Sequence, residues 1–554
     1  MTYTVNFDNV KSHYVNVEIE FSSQGKDYVD FKVPVWTPGS YKVREFSKAF
    51  ENVRVEDLEI SRRDKNTWRI ETKGKEQVKL SYDVYCFKIS VRHSYVDQFY
   101  AFLHGVSAFG YLDGFENEQI VLKINPLDEW KNVEVALPQT KAPGYVYTCT
   151  NYDLLADSPI AVGNFDSDTY ETKGVPHKIV MIGEGNYNLS KFTKDVKRIT
   201  DWQADMIGEH PSNQYIHFIY NVNSGGGGLE HANSHTSMIN RWAYTNKGRY
   251  RSFLGLIAHE YFHLWNVKRI RPLELGPFDY DKEVYTDMLW IAEGITSYYD
   301  DLTMYKLGNY SEKEYLNILK SNISRLENTA GKDVMSLAES SWLAWIKSYL
   351  PNEESPNVSV SYYNKGMVVA LLLDLEIRKS SNKCLDDVMT ELYKNYYKNG
   401  NKGLTHAQFE SVVNKVAGRD LSEFFKTSVY STDNLDYSVF QSFGLELSIK
   451  PSSKSYSGIK SAGHVISNIV KNSPAVFAGL SVNDEILGLN GWKINTPIEK
   501  ELEKLKVGSK AKILFSRDQK ILETELTITK NPNVGVALTK IDEDNKELKR
   551  WLKR

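Results

Sequence analysis

Cysteine is scarce in this chain of 554 residues: there are three, Cys86, Cys149 and Cys384, all far apart. An odd, scattered set excludes a disulfide framework and a thiolate metal site, and it points to a reducing, cytoplasmic setting. An excess of one charge is missing too. Sixty-eight basic residues stand against 71 acidic ones, a net charge of -3, which gives no electrostatic footing for nucleic acid. No apolar run approaches the length of a membrane span. The first residues, Met1 to Phe7, alternate like a strand and lack the basic-then-apolar pattern of a targeting signal. What is plentiful is tyrosine, 35 residues, which suits β-rich regions and peptide-binding clefts. The length allows roughly two to four domains.

From Tyr3 to about Asp168 short runs alternate apolar and polar residues, as in Val15-Asn16-Val17-Glu18-Ile19 and Val78-Lys79-Leu80-Ser81-Tyr82. This pattern predicts an antiparallel β domain, a sandwich or saddle. Within it, Trp36-Thr37-Pro38-Gly39-Ser40-Tyr41 reads as an ordinary turn packed by its flanking rings. No chemical constellation stands out in this third. Further on, 178–182 and 215–220 read as strands and 195–207 as a helix. Then come Gly225, Gly226, Gly227 and Gly228, followed by Leu229-Glu230-His231. Four glycines strip one piece of backbone of side chains, so another backbone can approach it. A carboxylate at Glu230, beside that bare edge, can grip the α-ammonium of a peptide lying along it. A phosphate-cradling loop is disfavoured because no Lys-Ser/Thr pair follows the glycines.

The chain is organised around His259-Glu260-Tyr261-Phe262-His263, inside a helix-forming apolar run expected to begin near Ser252 and end before Pro272. Two histidines four apart share a helix face and can reach one ion. Glu260, beside the first of them, is placed to take a proton from a metal-bound water. A second helix is expected with Thr286 as its N-cap and Gly308 just past its end. Glu293 sits in its apolar middle, Leu289 to Ile295. A lone buried carboxylate is costly, and a zinc ion would be its partner. Two His and one Glu leave the fourth tetrahedral position open, as a catalytic zinc requires.

His-Glu-x-x-His with a downstream Glu resembles the gluzincin metallopeptidases. Gly227-Gly228-Leu229-Glu230-His231 and Glu293-Gly294-Ile295-Thr296-Ser297-Tyr298 resemble the exopeptidase and third-ligand segments of the aminopeptidase N branch. Ser297 stands where the thermolysin branch has an Asp, which leaves the partners that orient the histidines unnamed. Tyr363-Asn364-Lys365-Gly366 matches Tyr-x-Lys-Gly, whose tyrosine in that branch stabilises the oxyanion; a phenol donor aimed there makes physical sense. Near the end, Ser473-Pro474-Ala475 and Asn490-Gly491 look like a PDZ domain of bacterial proteases. Phe443-Gly444-Leu445-Glu446-Leu447 is its expected carboxylate-binding loop, and 546–554 is read as a solvated amphipathic tail.

Taken whole, the chain resembles the PDZ-containing glycyl aminopeptidase family. The resemblance implies a multidomain α+β protein: a β domain over 1–170, a thermolysin-like catalytic domain with a helical lobe over 171–435, and a PDZ-like domain over 436–554. It implies one Zn²⁺ per chain on His259, His263 and Glu293, catalysis by Glu260 and Tyr363, and substrate binding by Glu230, Gly227 and Gly228. The implied reaction is release of small N-terminal residues, glycine and alanine above others, from peptides with a free N-terminus. A C-terminal peptide is a further expected partner at the PDZ domain; nucleic acid and membrane are not. Two alternatives stay open on the residues alone: an endopeptidase on the same metal, and a peptide-binding adaptor with a vestigial zinc site.

Overall fold

The computed structural model describes residues 1–400 and 402–553. They form two compact units. The first comprises Met1–Thr286, Tyr299–Asn309 and Val388–Phe409, the second Asp287–Tyr298, Tyr310–Asp387 and Glu410–Arg554.

In the first unit the alternation of the sequence becomes alternation of burial. Val15, Val17, Ile19 and Phe21 of strand Tyr14–Ser22 are buried, as are Val78, Leu80, Tyr82 and Val84 of strand Gln77–Tyr85. The two strands pair antiparallel with Val17 opposite Tyr82. A slip of one residue would turn that whole apolar set to solvent, so the register is strongly specified. They belong to a six-stranded sheet ordered Tyr145–Cys149, Ile120–Asn125, Thr2–Asn6, Tyr14–Ser22, Gln77–Tyr85, Phe50–Val55. One pair in it, Thr2–Asn6 with Ile120–Asn125, is parallel. Two four-stranded sheets complete this β region, and a continuous core rich in Val, Ile and aromatics fills it.

The same unit contains a five-stranded mixed sheet, ordered Asp166–Thr172, Val175–Ile182, Tyr215–Val222, Ser234–Asn240, Gly227–His231. Its inner pairs are parallel, and Gly227–His231 closes it as an antiparallel edge. Helix Leu189–Ile207 starts earlier than the periodicity suggests because the Asn188 side chain accepts the Lys191 amide at 2.9 Å; Gly208, at φ 100°, ends it. Helix Lys247–Phe262 also starts early, capped by Asn246 on the Arg249 amide at 3.0 Å, and packs against strands Gly227–His231 and Ser234–Asn240.

The second unit is built on helices. Glu312–Glu327 opens with a capping box between Ser311 and Glu314. Asn364–Ser380 is buried on nearly every face, so its sequence is apolar all round. Asp374, fully buried within it, accepts from Tyr298 Oη at 2.7 Å, Arg378 Nε at 2.9 Å and the Leu385 amide at 2.8 Å, and so is satisfied.

A sheet ordered Ile459–Ala462, Val465–Ile469, Glu485–Leu489, Lys510–Arg517, Lys520–Thr527 forms the PDZ-like part around its own core. Two expectations fail in this unit. Phe443 to Leu447 is not a ligand loop: Gly444 ends a 3-10 turn, and strand Leu445–Pro451 is committed to a ribbon with Val534–Lys540. The edge strand beside helix Ile498–Leu502 is instead Ile459–Ala462. The tail is not solvated either. Helix Lys546–Leu552 buries Leu548, Trp551 and Leu552, and Trp551 Nε1 donates to Tyr298 Oη at 3.2 Å, because three large apolar side chains on one face outweigh the charges on the other. Arg554 of that tail lies outside the described residues. Among the described residues no helix is long and apolar enough to cross a membrane.

Candidate active site

Helix Lys247–Phe262 presents the two histidines one turn apart, rings 4.7 Å between centroids and nearly perpendicular at 84°. Each is fixed from behind. His259 Nδ1 is 2.9 Å from Asp300 Oδ2, and His263 Nδ1 is 2.6 Å from the Asn266 carbonyl. With an oxygen acceptor at Nδ1 the proton sits there, and Nε2 keeps a lone pair for an ion. The partner that the sequence left unnamed is therefore Asp300, about two turns beyond Glu293. It is one of two adjacent acids, Asp300 and Asp301, and only the helix phase singles it out.

Glu293 lies in a π-helical segment, Trp290–Ile295, that runs into helix Thr296–Lys306. The helix thus begins later than Thr286 and opens with a widened turn, a feature with no sequence period of its own. Glu293 is buried. One ligand atom each from His259, His263 and Glu293 lie within 4.8 Å of one another, and the same holds for Glu230, Glu260 and His263. Two imidazoles held at Nδ1 and one buried carboxylate fit a zinc ion by donor type and number.

The glycine-rich strand explains itself in this setting. A Cβ on Gly228 would fall on the Glu260 carboxylate, so only glycine lets the strand pass that side chain. Gly225 and Gly227 hold φ of 113° and 98°, where other residues are strained. Glu230, 4 % exposed, has no hydrogen-bond partner for its Oε1 among the described residues.

Over it lies the turn read as ordinary. Trp36 and Tyr41 do stack, with centroids 6.2 Å apart, and Trp36 Nε1 donates to the Asp279 carbonyl at 2.7 Å. But Gly39, at φ 79°, sits so close to Glu230 that a Cβ there would be 2.5 Å from Oε1. Arg92 Nη2 reaches the Gly228 carbonyl at 3.4 Å. The first third therefore does contribute to this region, through contacts that no local pattern encodes.

Beneath the strand runs a buried chain that the sequence reading missed. Tyr170 Oη meets His217 Nε2 at 2.7 Å, His217 Nδ1 meets His235 Nε2 at 2.7 Å, and His235 Nδ1 meets Ser237 Oγ at 2.9 Å. Burial drives His217 far below its ordinary value and His235 to about 3, so both imidazoles are neutral. His235 pairs opposite Glu230 and Ser237 opposite Gly228, which makes the chain a satisfied floor for the edge strand.

Tyr363 stands at the N-cap of helix Asn364–Ser380, its ring 4.8 Å from that of Tyr362. The glycine of Tyr-x-Lys-Gly has a packing reason. A Cβ on Gly294 would come within 2.5 Å of Gly366 Cα, so the segment bearing Glu293 and the helix that follows Tyr363 cross backbone to backbone. Lys365, beside it, is 2 % exposed; burial, then the charge of Lys332, lowers its pKa to about 8.

The comparisons with known proteins agree with this layout. Residues 252–369 match the M61 glycyl aminopeptidase family, residues 2–164 the peptidase M61 N-terminal domain, and residues 444–528 a PDZ domain. No curated protein sequence matches the chain. An aminopeptidase N family protein from Idiomarina loihiensis is similar over 100 % of both chains, at 30 % identity and a TM-score of 0.92. Yeast LTA4 hydrolase in complex with bestatin is more distantly similar, at 14 % identity over 79 % of this chain and 67 % of its own, TM-score 0.47. An M1 zinc metallopeptidase from Deinococcus radiodurans shows 12 % identity over 79 % and 94 %, TM-score 0.47. With the fold, the His-Glu-x-x-His helix and a full-length relative in agreement, this chain belongs to the M61 glycyl aminopeptidase family and is a metalloaminopeptidase, a hydrolase of peptide bonds.

Proposed function

We propose that the chain releases small N-terminal residues, glycine and alanine, from peptides with a free amino terminus, with one zinc ion held by His259, His263 and Glu293. The observation that carries the exopeptidase reading is Glu230: a buried carboxylate with a spare oxygen, on a bare edge strand, grouped with Glu260 and His263. It offers the α-ammonium a charge-assisted hydrogen bond. The edge strand from Gly227 to Glu230 offers main-chain pairing to the substrate. The tight approach of Gly39 to Glu230 supports a small first side chain, as does the family's description.

Bound there, zinc supplies Lewis acidity toward the scissile carbonyl and the attacking water. Glu260 accepts the proton of that water and delivers it to the leaving amine. Tyr363 donates its phenol hydrogen to the oxyanion. Asp300 and the Asn266 carbonyl hold the histidine tautomers. A panel of aminoacyl reporter substrates, run with and without a chelator, tests this. Chelator-sensitive release of glycine and alanine ahead of larger residues is expected, and equal cleavage of acetylated and free peptides would make the enzyme an endopeptidase.

The three-part organisation 1–170, 171–435 and 436–554 is supported by the matched spans. Capture of a C-terminal peptide by the PDZ domain is proposed at strand Ile459–Ala462. The Glu499 carboxylate already holds the Ser461 amide there and lies 2.6 Å from Ser461 Oγ. A peptide adding to that edge has to displace it. A reducing, cytoplasmic setting is supported by three free cysteines.

A further inference from the structure

Beside strand Ile459–Ala462 lies a cavity of about 500 Å³ that the reaction above does not use. One wall is the chain at 455–460. Opposite it stand Glu499, Leu502 and Glu503, which share a helical face because they are three and four residues apart. The third wall comes from the helical lobe, through Asn328, Thr329, Pro356 and Asn357.

The lobe closes this cavity at one end. Asn357 Nδ2 donates to the Ile469 carbonyl at 2.9 Å, and its Oδ1 accepts the Lys471 amide at 3.1 Å. Ile469 pairs with Ile459, so Asn357 stands at the level where the edge strand begins. Asn328 makes the same two-point clasp on Val534, at 3.1 Å to its carbonyl and 2.8 Å from its amide. A peptide adding to the strand therefore enters from the Ala462 end and stops at Gly458. A chain terminus fits there, and a continuing chain does not.

The blind end is furnished for a carboxylate. The amides of Ser457 and Gly458 reach no acceptor among the described residues, and that of Ile459 donates locally to Ser457 Oγ at 3.3 Å. Gly458 holds φ 81°, and a Cβ there would collide with Ser473. Successive amides around such a left-handed residue form a concavity that suits an anion. Ile459 and Leu502, both buried, offer apolar surface beside it. Asn468 lines the same cavity at 7 % exposure, and its Oδ1 has no partner among the described residues, so it can accept a ligand N–H.

Further along the strand the cavity carries negative charge. Glu499 accepts the Ser461 amide and lies 2.6 Å from Ser461 Oγ. Ser461 is two residues past Ile459, or ~7 Å along an extended strand. An antiparallel peptide with its terminus at Gly458 places its third residue from the end there. Side chains alternate along a strand, so that residue and the last one face the same way. The last meets Leu502 and the third from the end meets Glu499. Once the peptide's carbonyl takes the Ser461 amide, the Glu499 carboxylate loses its donor, which costs free energy unless the ligand supplies another. Glu503 adds a second negative charge to the same wall.

On these grounds, and resting on the peptide capture proposed above, we infer that the PDZ-like part selects protein chains that end in an apolar residue and carry Lys or Arg two positions before it. The amides at 457–459 hold the terminal carboxylate. Glu499 closes the empty edge and, when displaced, becomes the partner of the ligand's cation.

The test titrates the full-length chain with acetylated hexapeptides, whose blocked amino termini keep them from the site at Glu230, and reads affinity by calorimetry. The first probe is acetyl-Gly-Ser-Ala-Lys-Ala-Leu as free acid. The comparisons are its C-terminal amide and the acids with Gln or Glu in place of Lys. The Lys acid is expected to bind about tenfold tighter than the Gln acid, the size of one charge-assisted hydrogen bond. That gap should narrow as sodium chloride is raised. Amidation should weaken binding by about tenfold or more, because the loop amides lose their anion. In Glu499→Gln the ratio of Lys to Gln affinity should fall toward one, and in Glu499→Lys the Glu acid should become the tightest of the three acids. Each readout is a ratio of two probes on one protein, so any loss of folded material cancels. Equal affinity of the Lys and Gln acids for the parent chain would overturn the inference, as would a ratio that Glu499→Gln leaves unchanged or an amide that binds as well as its acid. If none of the probes binds, the capture of C-terminal peptides itself fails, and the inference with it.

Discussion

Replacing Glu230 by Gln separates binding from folding in a way the structure makes quantitative. The side chain is 4 % exposed, and its Oε1 has no partner among the described residues. In the free enzyme, then, a carboxylate charge is held out of water without full compensation, which costs stability. Glutamine keeps the shape and removes the charge, so the Tm of the metal-loaded enzyme should stay level or rise by a few degrees. In the proposed substrate complex the same carboxylate would meet an α-ammonium in a desolvated setting. Losing one member of such a charge-assisted pair costs about 2–4 kcal/mol, roughly 30- to 1000-fold. The expected result is a fall of that size in kcat/KM for alanyl reporters, accompanied by unimpaired or improved thermal stability. Glu230→Gln retaining kcat/KM within about threefold would refute the anchor role. A large drop in Tm would refute the claim that the charge is uncompensated before substrate arrives.

Four further outcomes follow from particular contacts. Glu260→Gln should leave metal content at the parent level while turnover falls by about 10²–10⁴; metal analysis beside reporter hydrolysis checks both halves. Asp300→Asn should weaken metal binding by about 10- to 100-fold, measured against a chelator of known affinity, because His259 loses the carboxylate charge that fixes its tautomer and raises its basicity. Lys365→Met tests a buried amine whose pKa is lowered to about 8. Between pH 8 and the ordinary lysine range the unfolded chain binds this proton and the folded one does not, so stability should rise with pH there in the parent and not through this group in the variant. Denaturant titrations at pH 7.5 and 10 read the difference, and Met should be the more stable of the two at the lower pH. Asp484 is fully buried, accepts from Arg517 Nε and Nη2 at 2.7 and 2.8 Å and from the Ser481 amide at 2.7 Å. Asp484→Ala should cost the PDZ-like part about 1–3 kcal/mol, since the Ser481 amide loses its acceptor while the Arg517 guanidinium stays exposed to water, seen as early proteolysis within 444–528.

How much of this was legible depended on the range over which each signal acts. The grouping of His259 with His263 follows from helical spacing, and an acid in so apolar a run as Leu289 to Ile295 announced that Glu293 needed a partner. The β alternation of the first third likewise encoded both register and burial. Asp300 was not legible, since its role depends on helix phase after a π-turn that leaves no periodic trace. Nor was Gly39, whose neighbour Glu230 is far away in the chain. The ribbon joining Leu445–Pro451 to Val534–Lys540 is a long-range pairing of two weakly patterned strands, and without it Phe443 to Leu447 resembled a free loop. The C-terminal helix was misjudged because its lysines and arginines dominate the composition while Trp551 determines where it goes.

The crossing at Gly294 and Gly366 has a consequence for motion. With no side chain on either backbone there is no cushion that could compress or re-pack, so the two helices cannot slide past each other by small steps. Whatever breathing accompanies entry of a peptide or departure of a product, Glu293 and Tyr363, each next to this crossing in the chain, should travel as passengers of one stiff piece and keep their spacing.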